Sequence, residues 1–172
     1  LELKEKTIEL LASRPHILNI GAGHVGRALA RAMSQHPENA SHIDNRQEEL
    51  ELADPTVCLT ASILPESLIR QAPPGSAYII LTHDHALDFL LAREALERTD
   101  AAYIGMIGSK TKRATFASWY EGETGSRDGI DRLIMPIGGN RSHDKRPAVI
   151  SAFVAAEVME AVSLWQDVQV PA

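Results

Sequence analysis

The chain has 172 residues, of which 44% are hydrophobic and 23% are charged, and its formal net charge is −6. This composition is typical of a globular protein with enough apolar residues for one substantial core. The negative charge argues against general binding to nucleic acid, and a single cysteine, Cys58, excludes an internal disulfide and a cysteine-based zinc site.

The segment LELKEKTIELLASRP, residues 1–15, predicts an N-terminal helix or linker, with the helix over residues 1–13. It is too charged to be a secretory signal, and no continuous apolar run approaches the roughly 18 to 20 residues of a membrane span. We therefore expect a soluble, cytoplasmic protein that does not enter a membrane. Because the chain starts at Leu1 and not at a methionine, we also expect it to be part of a longer protein.

Short apolar runs rich in β-branched residues alternate with helical patterns over residues 16–172. This alternation predicts one Rossmann-like α/β domain, a doubly wound parallel sheet of five or six strands with helices on both faces. The predicted strands are HILNI (16–20), a short strand ending at HID (42–44), VCLTA (57–61), AYIILT (77–82), AYIGMIG (102–108) and LIMPI (133–137).

Helices are predicted between these strands. One runs through ALARAMSQH, a brief one begins at Pro65, and two more cover ALDFLLAREAL and SKTKRATFASWY. Residues 121–132 are polar and predict a loop with one helical turn. Pro147 suits a helix start, since the N–H that proline lacks has no helical partner there. The long apolar helix that follows is expected to pack on the sheet or on a second subunit, which favours a homodimer.

The segment GAGHVG, residues 21–26, lies between the first strand and the first helix and matches the motif G-x-G-x-x-G. In this motif the first glycine permits a tight turn, the second lets the backbone approach a pyrophosphate, and the third lets the helix pack closely on the strand. The first N–H groups of the helix favour an anion. His24 lies inside this loop, where its imidazole either faces the phosphates of a ligand or lies on the surface.

Asp44 follows Gly26 by 18 residues, at the end of the second strand, where a carboxylate can accept hydrogen bonds from ribose hydroxyls. Arg46 is placed to stack on a base or to pair with a phosphate. An alternative role for Asp44 is to cap a helix that begins at QEELEL. The glycine motif by itself does not distinguish hydride transfer from simple binding of a phosphorylated cofactor.

The segment IGSKTKR, residues 107–113, follows the fifth strand at the carboxyl edge of the sheet, where open α/β sheets bind ligands. Ser109 is a suitable N-cap, and three cations lie in the first helical turn, where the helix dipole disfavours them. An anion bound between them and the helix N–H groups would explain this placement. The alternative is three solvated surface cations. Residues 105–147 carry eight basic and five acidic side chains, a local basic region in an acidic chain.

The segment THDHALD, residues 82–88, ends the fourth strand at the same edge. His83 and His85, with nearby aspartates, suggest a metal site, but this spacing is not an established one for metal ligands. We expect Asp84 to cap the next helix and His83 to donate a hydrogen bond to a ligand. The charged loop GGNRSHDKRP, residues 138–147, is either a mobile solvated loop or a lid or partner-docking loop.

Taken in order, the motifs GAGHVGRAL, IDNR, PPGSAYIILTHDHALDF, AYIGMIGSKTKR, MPIG and KRPAVISAFVAAE resemble the C-terminal domain of the xanthine dehydrogenase accessory protein family, the molybdenum cofactor insertion chaperones. The resemblance runs from about His16 to Trp165. It implies a chaperone, and not an enzyme, that binds molybdenum cofactor, a pterin dithiolate carrying the metal. Such a protein holds the cofactor for sulfuration by a cysteine desulfurase and passes it to an apo molybdenum hydroxylase of the xanthine dehydrogenase type. The charge of the GGNRSHDKRP loop departs from the family pattern.

No residue is assigned a catalytic or metal-binding role. Two alternatives remain: an NAD(P)-dependent oxidoreductase with His83 as the acid, and a nucleotide-sensing regulatory domain. Against the oxidoreductase, the single helix predicted after the sixth strand is too little chain for a substrate domain. The candidate cofactor-binding residues are Gly21, Gly23, His24, Val25, Gly26, Asp44, Arg46, His83, Gly108, Ser109, Lys110, Lys112 and Arg113.

Overall fold

A computed structural model describes residues 14–36, 39–55, 57–62, 64–139 and 142–169, so the helix predicted over residues 1–13 lies outside this part of the chain. The strands are β1 (His16–Ile20), β2 (Asn39–Asp44), β3 (Leu59–Ala61), β4 (Ala77–Ile80), β5 (Tyr103–Met106) and β6 (Leu133–Ile134). The helices are α1 (His24–Met33), α2 (Gln47–Leu50), α3 (Pro65–Gln71), α4 (His85–Leu96), α5 (Lys110–Thr124) and α6 (Pro147–Gln169), with a 3₁₀ turn at Ile130–Arg132.

All six strands form one parallel sheet in the order β3-β2-β1-β4-β5-β6. This is the strand order of a Rossmann fold, and it confirms the predicted fold class. The chain moves outward in one direction from β1 to β3 and in the other from β4 to β6. The connections therefore separate between β1 and β4, and a crevice opens at the carboxyl edge there.

The sheet is covered by apolar side chains on both faces, because successive residues of a strand point to opposite sides. In β4, Tyr78 and Ile80 face the core beneath α3, α4 and α5, whereas Ala77 and Ile79 face the core beneath α1 and α6. Every residue of β4 is buried. Continuous apolar runs of this kind are typical of central parallel strands, which is why the strands could be predicted from the sequence.

Several elements differ in length from their predictions. Strands β3 to β6 are shorter than the apolar runs that contain them, and β6 has two residues because Pro136, just beyond it, has no N–H to donate to a neighbouring strand. The helix α5 continues to Thr124, into the region predicted as loop. It ends at Gly125, whose φ of +77° places it in the left-handed region that commonly terminates helices.

The helix α6 packs against α1 and β5, with Val154, Val158 and Val162 in the core. Within the described residues it is the one helix long and apolar enough to cross a membrane, judged by length and composition alone. Glu157 and Glu160 interrupt its apolar residues, so this helix contains no continuous apolar run of membrane-spanning length. A core helix meets the same criterion, and the buried face of α6 belongs to the core of this domain.

Arg98 joins the end of α4 to the end of α3. Its guanidinium donates to the carbonyls of Ile69 at 2.6 Å and of Ala72 at 2.7 Å, and it pairs with Asp100 at 2.9 Å. The last carbonyls of a helix have no helical partner, so this one side chain supplies donors at the end of α3, where the hydroxyl of Tyr78 also donates to Ile69 at 3.3 Å.

We predict that Arg98→Met lowers the free energy of unfolding by about 2 kcal/mol, because hydrogen bonds from a charged donor to partly buried carbonyls are lost. Chemical denaturation measures this change. The matched control is Arg127→Met, since Arg127 is exposed and pairs with Glu121 on the surface; it should change the same quantity by less than about 0.5 kcal/mol. Equal effects of the two substitutions would contradict the role of Arg98.

Candidate functional site

The glycine loop connects β1 to α1 at the crevice, and its three glycines have different surroundings. Gly21 has a φ of +125°, and a Cβ there would collide with the carbonyl oxygen of Leu81 at the end of β4. A Cβ on Gly26 would collide with the carbonyl oxygen of Gly21, whereas a Cβ on Gly23 would meet no atom within 4 Å. Packing thus requires the first and third glycines, and the second lies on the open side of the loop.

Asp44 is buried at the end of β2, and its carboxylate holds the glycine loop. It accepts hydrogen bonds from the backbone N–H of Ala22 at 2.6 Å, from the backbone N–H of Arg46 at 2.8 Å and from Arg46 Nε at 3.0 Å. Burial alone would raise the pKa of Asp44, but these hydrogen bonds hold the pKa below its ordinary value. The capping alternative is wrong, since Arg46 is the N-cap of α2 and no side chain caps that helix.

Arg27 and Glu49 belong to the same network, and the sequence analysis missed both. Arg27 Nη1 donates to the carbonyl of Ala22 at 2.7 Å and pairs with Glu49 at 2.8 Å, and Glu49 also pairs with Arg46 at 3.4 Å. The available signal was a basic residue directly after the third glycine. Because carboxylates pair with both arginines, the loop presents mainly backbone N–H groups to an anion.

The remaining predicted residues of the loop differ in what they expose. His24 is exposed at the start of α1, with its Nδ1 3.2 Å from Arg27 Nη2. The side chain of Val25 packs against the core beneath α1, so Val25 offers a ligand its backbone N–H alone. The first N–H groups of a helix lack helical acceptors, and here they lie beside the open face of Gly23.

The second predicted anion site lies where β5 leads through Gly108 into α5. Ser109 caps the helix by accepting from the N–H of Lys112 at 3.2 Å, as predicted. Lys112, however, donates to Asp88 at 2.5 Å and to the carbonyl of Ile107 at 3.1 Å. Arg113 donates to the carbonyl of Leu133 at 2.7 Å. The prediction that all three cations face an anion, or all face solvent, is therefore corrected: Lys112 and Arg113 bind groups within the domain, and Lys110 is exposed.

Asp88 joins the segment after β4 to the first turn of α5. It is fully buried in the first turn of α4, and its carboxylate accepts from the N–H of Thr82 at 3.0 Å, from the hydroxyl of Thr82 at 2.8 Å and from Lys112. Buried charges are normally paired in this way, because an unpaired carboxylate in the interior is costly. The cations in the first turn of α5 are thus explained in part by an acid on the neighbouring helix.

The metal hypothesis for residues 82–88 gains no support from the geometry. Asp84 caps α4 by accepting from the N–H groups of Ala86 and Leu87, as predicted, and Asp88 is used by Thr82 and Lys112. His83 is exposed. No group of three or more potential metal ligands occurs in the part of the chain that the structure describes.

The structure brings part of the predicted site together. Gly21, Asp44 and Thr82 line one shallow depression at the carboxyl edge, between the ends of β1, β2 and β4. Ser109 and Lys110 follow β5, the next strand of the sheet, at the same edge. A separate cavity of about 390 Å³ lies between α1, β1 and β2, lined by residues that include His16, Asn19, His42 and Cys58, and none of the predicted site residues lines it.

These features define a class of protein: a Rossmann-type domain with a glycine-rich loop at the switch point of its sheet. The family described as the XdhC Rossmann domain matches residues 17–158, and the chain belongs to that family. This confirms the resemblance found in the sequence.

Among solved structures, a Bacillus halodurans protein described as a xanthine dehydrogenase is similar with a TM-score of 0.74 and 20% identity, over 92% of this chain. This chain spans 45% of the length of that protein. A prephenate dehydrogenase from A. aeolicus, in complex with hydroxyphenyl propionate and NAD⁺, is similar with a TM-score of 0.45 and 16% identity, over 87% of this chain and 58% of that one. A comparison with curated proteins found no match.

We predict that Lys112→Met lowers the free energy of unfolding by about 3 kcal/mol, because it leaves the buried carboxylate of Asp88 without its charged partner. Urea denaturation measures the loss. Lys110→Met is the matched control, two residues away and exposed, and should change stability by less than about 0.5 kcal/mol. The double variant Asp88→Asn with Lys112→Met should lose less stability than the two single variants together. A strictly additive double variant would rule out the proposed coupling.

The packing of the glycine loop predicts that the same substitution, glycine to alanine, has different effects on stability at Gly26 and at Gly23. Gly26→Ala should destabilise the domain by about 3 kcal/mol, since its methyl group collides with backbone, whereas Gly23→Ala adds a methyl group in open space and should cost about 1 kcal/mol or less. Thermal unfolding of the two variants compares them directly. Similar losses in both would show that the loop does not pack as described.

Proposed function

We propose that this domain binds molybdenum cofactor as cargo and takes part in its insertion into a molybdenum hydroxylase of the xanthine dehydrogenase type. Membership of the XdhC Rossmann domain family supports an association with such enzymes. On this proposal the protein is a chaperone in the cytoplasm, and a cysteine desulfurase sulfurates the cargo while the protein holds it. A homodimer through the apolar helix α6 remains part of the proposal.

The observation that carries the proposal is the open side of the glycine loop. Gly23 has free space beside it at the N-terminus of α1, while Gly21 and Gly26 are tightly packed. The pterin cargo ends in a phosphate or, in a dinucleotide form, a pyrophosphate, and helix N–H groups beside an unobstructed backbone suit such a group. Lys110 at the start of α5 adds an exposed cation at the same edge of the sheet.

The residues present fit the phosphate end of the cargo. In the described part of the chain no cluster of histidine, cysteine and acidic side chains could hold the metal, and Cys58 lines the separate cavity between α1, β1 and β2. We therefore assign the phosphate end to this chain, and to Gly23, His24, Ser109 and Lys110 in particular.

A second candidate ligand is NAD, and the position of Asp44 favours it. The carboxylate lies beside the N–H of Ala22 in the loop, where the ribose of a dinucleotide binds in Rossmann folds. Arg46 covers it in this structure and would have to move away. Because Arg46 is paired with both Asp44 and Glu49, we expect NADP to bind more weakly than NAD.

The deciding experiment incubates the purified chain with molybdenum cofactor, NAD⁺ or NADP⁺, measures binding, and then adds an apo xanthine dehydrogenase-type hydroxylase. We expect binding of the cofactor and recovery of hydroxylase activity. Tight binding of NAD⁺ without binding of the cofactor would overturn the proposal and favour a nucleotide-binding role.

We predict that Lys110→Ala weakens cofactor binding about three- to tenfold, because one charge-assisted contact to the anion is lost. The unfolding transition should not change. Arg127→Ala, just beyond the other end of α5, is the matched control and should bind as the unchanged chain does. Unchanged affinity in the Lys110 variant would show that this lysine is a solvated surface cation.

A further inference from the structure

Two polar side chains are buried beneath the glycine loop, on the face of the sheet that α1 covers. Asn19 in β1 and His42 in β2 are 2% and 0% exposed, and they are direct cross-strand partners. The hydrophobic core on this face includes Ile17, Leu29 and Met33. Burying an amide and an imidazole is costly unless they form hydrogen bonds, so their partners indicate their role.

Both side chains bind carbonyl groups of the loop glycines. Asn19 Nδ2 donates to the carbonyl of Gly26 at 2.8 Å, and His42 Nε2 lies 3.1 Å from the carbonyl oxygen of Gly21. A carbonyl oxygen can only accept, so Nε2 of His42 carries the proton. The first and third glycines are thus held from below by neighbouring residues of two strands.

The carbonyl oxygen of Gly21, which His42 binds, is also where the two ends of the glycine loop come into contact. A Cβ on Gly26 would collide with this oxygen, so the start of α1 packs directly against it. Two further residues of β2 hold the same part of the loop. The carbonyl of Ile43 accepts from the N–H of Gly21 at 2.7 Å, and Asp44, which lies on the same side of the strand as His42, accepts from the N–H of Ala22.

We propose that Asn19 and His42 are positioning residues for anion binding: they fix the carbonyls of Gly21 and Gly26, so that the first N–H groups of α1 point toward the ligand. The neutral His42 with its proton on Nε2 is the competent form. This role concerns the geometry of the loop and does not depend on which anionic ligand the domain binds.

Protonation of His42 would oppose this arrangement. Burial lowers the pKa of His42 and Arg27 lowers it further, whereas the hydrogen bond to Gly21 and the charge of Asp44 act in the opposite direction. Nδ1 has no hydrogen-bond partner among the described residues, so a second proton would bury an unpaired N–H. Because the pKa in the fold lies below the ordinary value of about 6.5, the unfolded chain takes up the proton first, and the stability provided by neutral His42 is lost as the pH falls through the folded pKa.

His16 must be separated from this effect. It lies at the start of β1, lines the same cavity, and burial lowers its pKa too. Its backbone N–H bonds to Ser76, and neither glycine carbonyl is its partner. His16→Gln therefore removes a partly buried histidine of the same cavity without touching the loop and is the matched control.

The test uses ¹⁵N-labelled chain and NMR. Imidazole nitrogen shifts should show His42 neutral at pH 7 with the proton on Nε2. Amide exchange at residues 22–26 should increase about tenfold or more in His42→Leu and Asn19→Leu, relative to exchange in β5, and His42→Gln, whose amide can still donate to Gly21, should restore it. In a His24→Gln background, which removes the exposed imidazole within the loop itself, the loop resonances should shift together with His42 below pH 6.5. This shift should disappear when His42→Gln is added but persist when His16→Gln is added.

Three results would overturn the proposal. One is a proton on Nδ1 of His42 at pH 7. Another is amide exchange in the leucine variants that increases no more in the loop than in β5, as a purely structural role would produce. The third is a pH-dependent shift of the loop that, in the His24→Gln background, is the same with His42→Gln as with His42 present. The third result does not use the leucine variants, so it can be measured even if those variants fail to fold.

Discussion

The contact of Gly26 with the carbonyl of Gly21 is the constraint on which the site depends. Since α1 must begin directly against that oxygen, the chain turns tightly at the end of β1 and the helix N-terminus comes close to the sheet. The strand order places this turn at the crevice between β1 and β4. Asp44 and the buried His42 hold the turn from β2. The open side of Gly23 is what this packing leaves for a ligand.

Most of the charge at the carboxyl edge is used within the domain. Lys112 pairs with buried Asp88, and Arg113 donates to the carbonyl of Leu133, so that α5 is joined to α4 and to β6. Arg46 is likewise paired with Asp44. An anion would therefore meet helix N–H groups and the exposed Lys110, in place of a cluster of buried cations. Helix termini contribute modest energies when they are exposed, so such a site would hold an anion weakly.

Much of the fold could be predicted, and the reasons are local. The fully buried strand β4 produces a continuous apolar run, and the spacing of Gly21, Gly23 and Gly26 is a signal within six residues. The ends of several strands were predicted too long because the predicted runs continue beyond the last hydrogen bond between strands. In the run AYIILT, for example, the N–H of Thr82 donates to Asp88 and not to a neighbouring strand. Arg27 and Glu49 were missed because their pairing joins positions 22 residues apart.

The sequence by itself determined the α/β fold, the glycine loop and membership of the family, because periodicity and motif spacing are properties of neighbouring residues. The tertiary structure alone decided which charges face outward. Lys110 and Lys112 look equivalent in the sequence, yet Lys112 finds its partner 24 residues earlier, across the packing of α4 on α5. Asn19 and His42 likewise take their role from a register between strands. A buried ion pair and a cross-strand contact depend on which surfaces meet, and no local pattern specifies this.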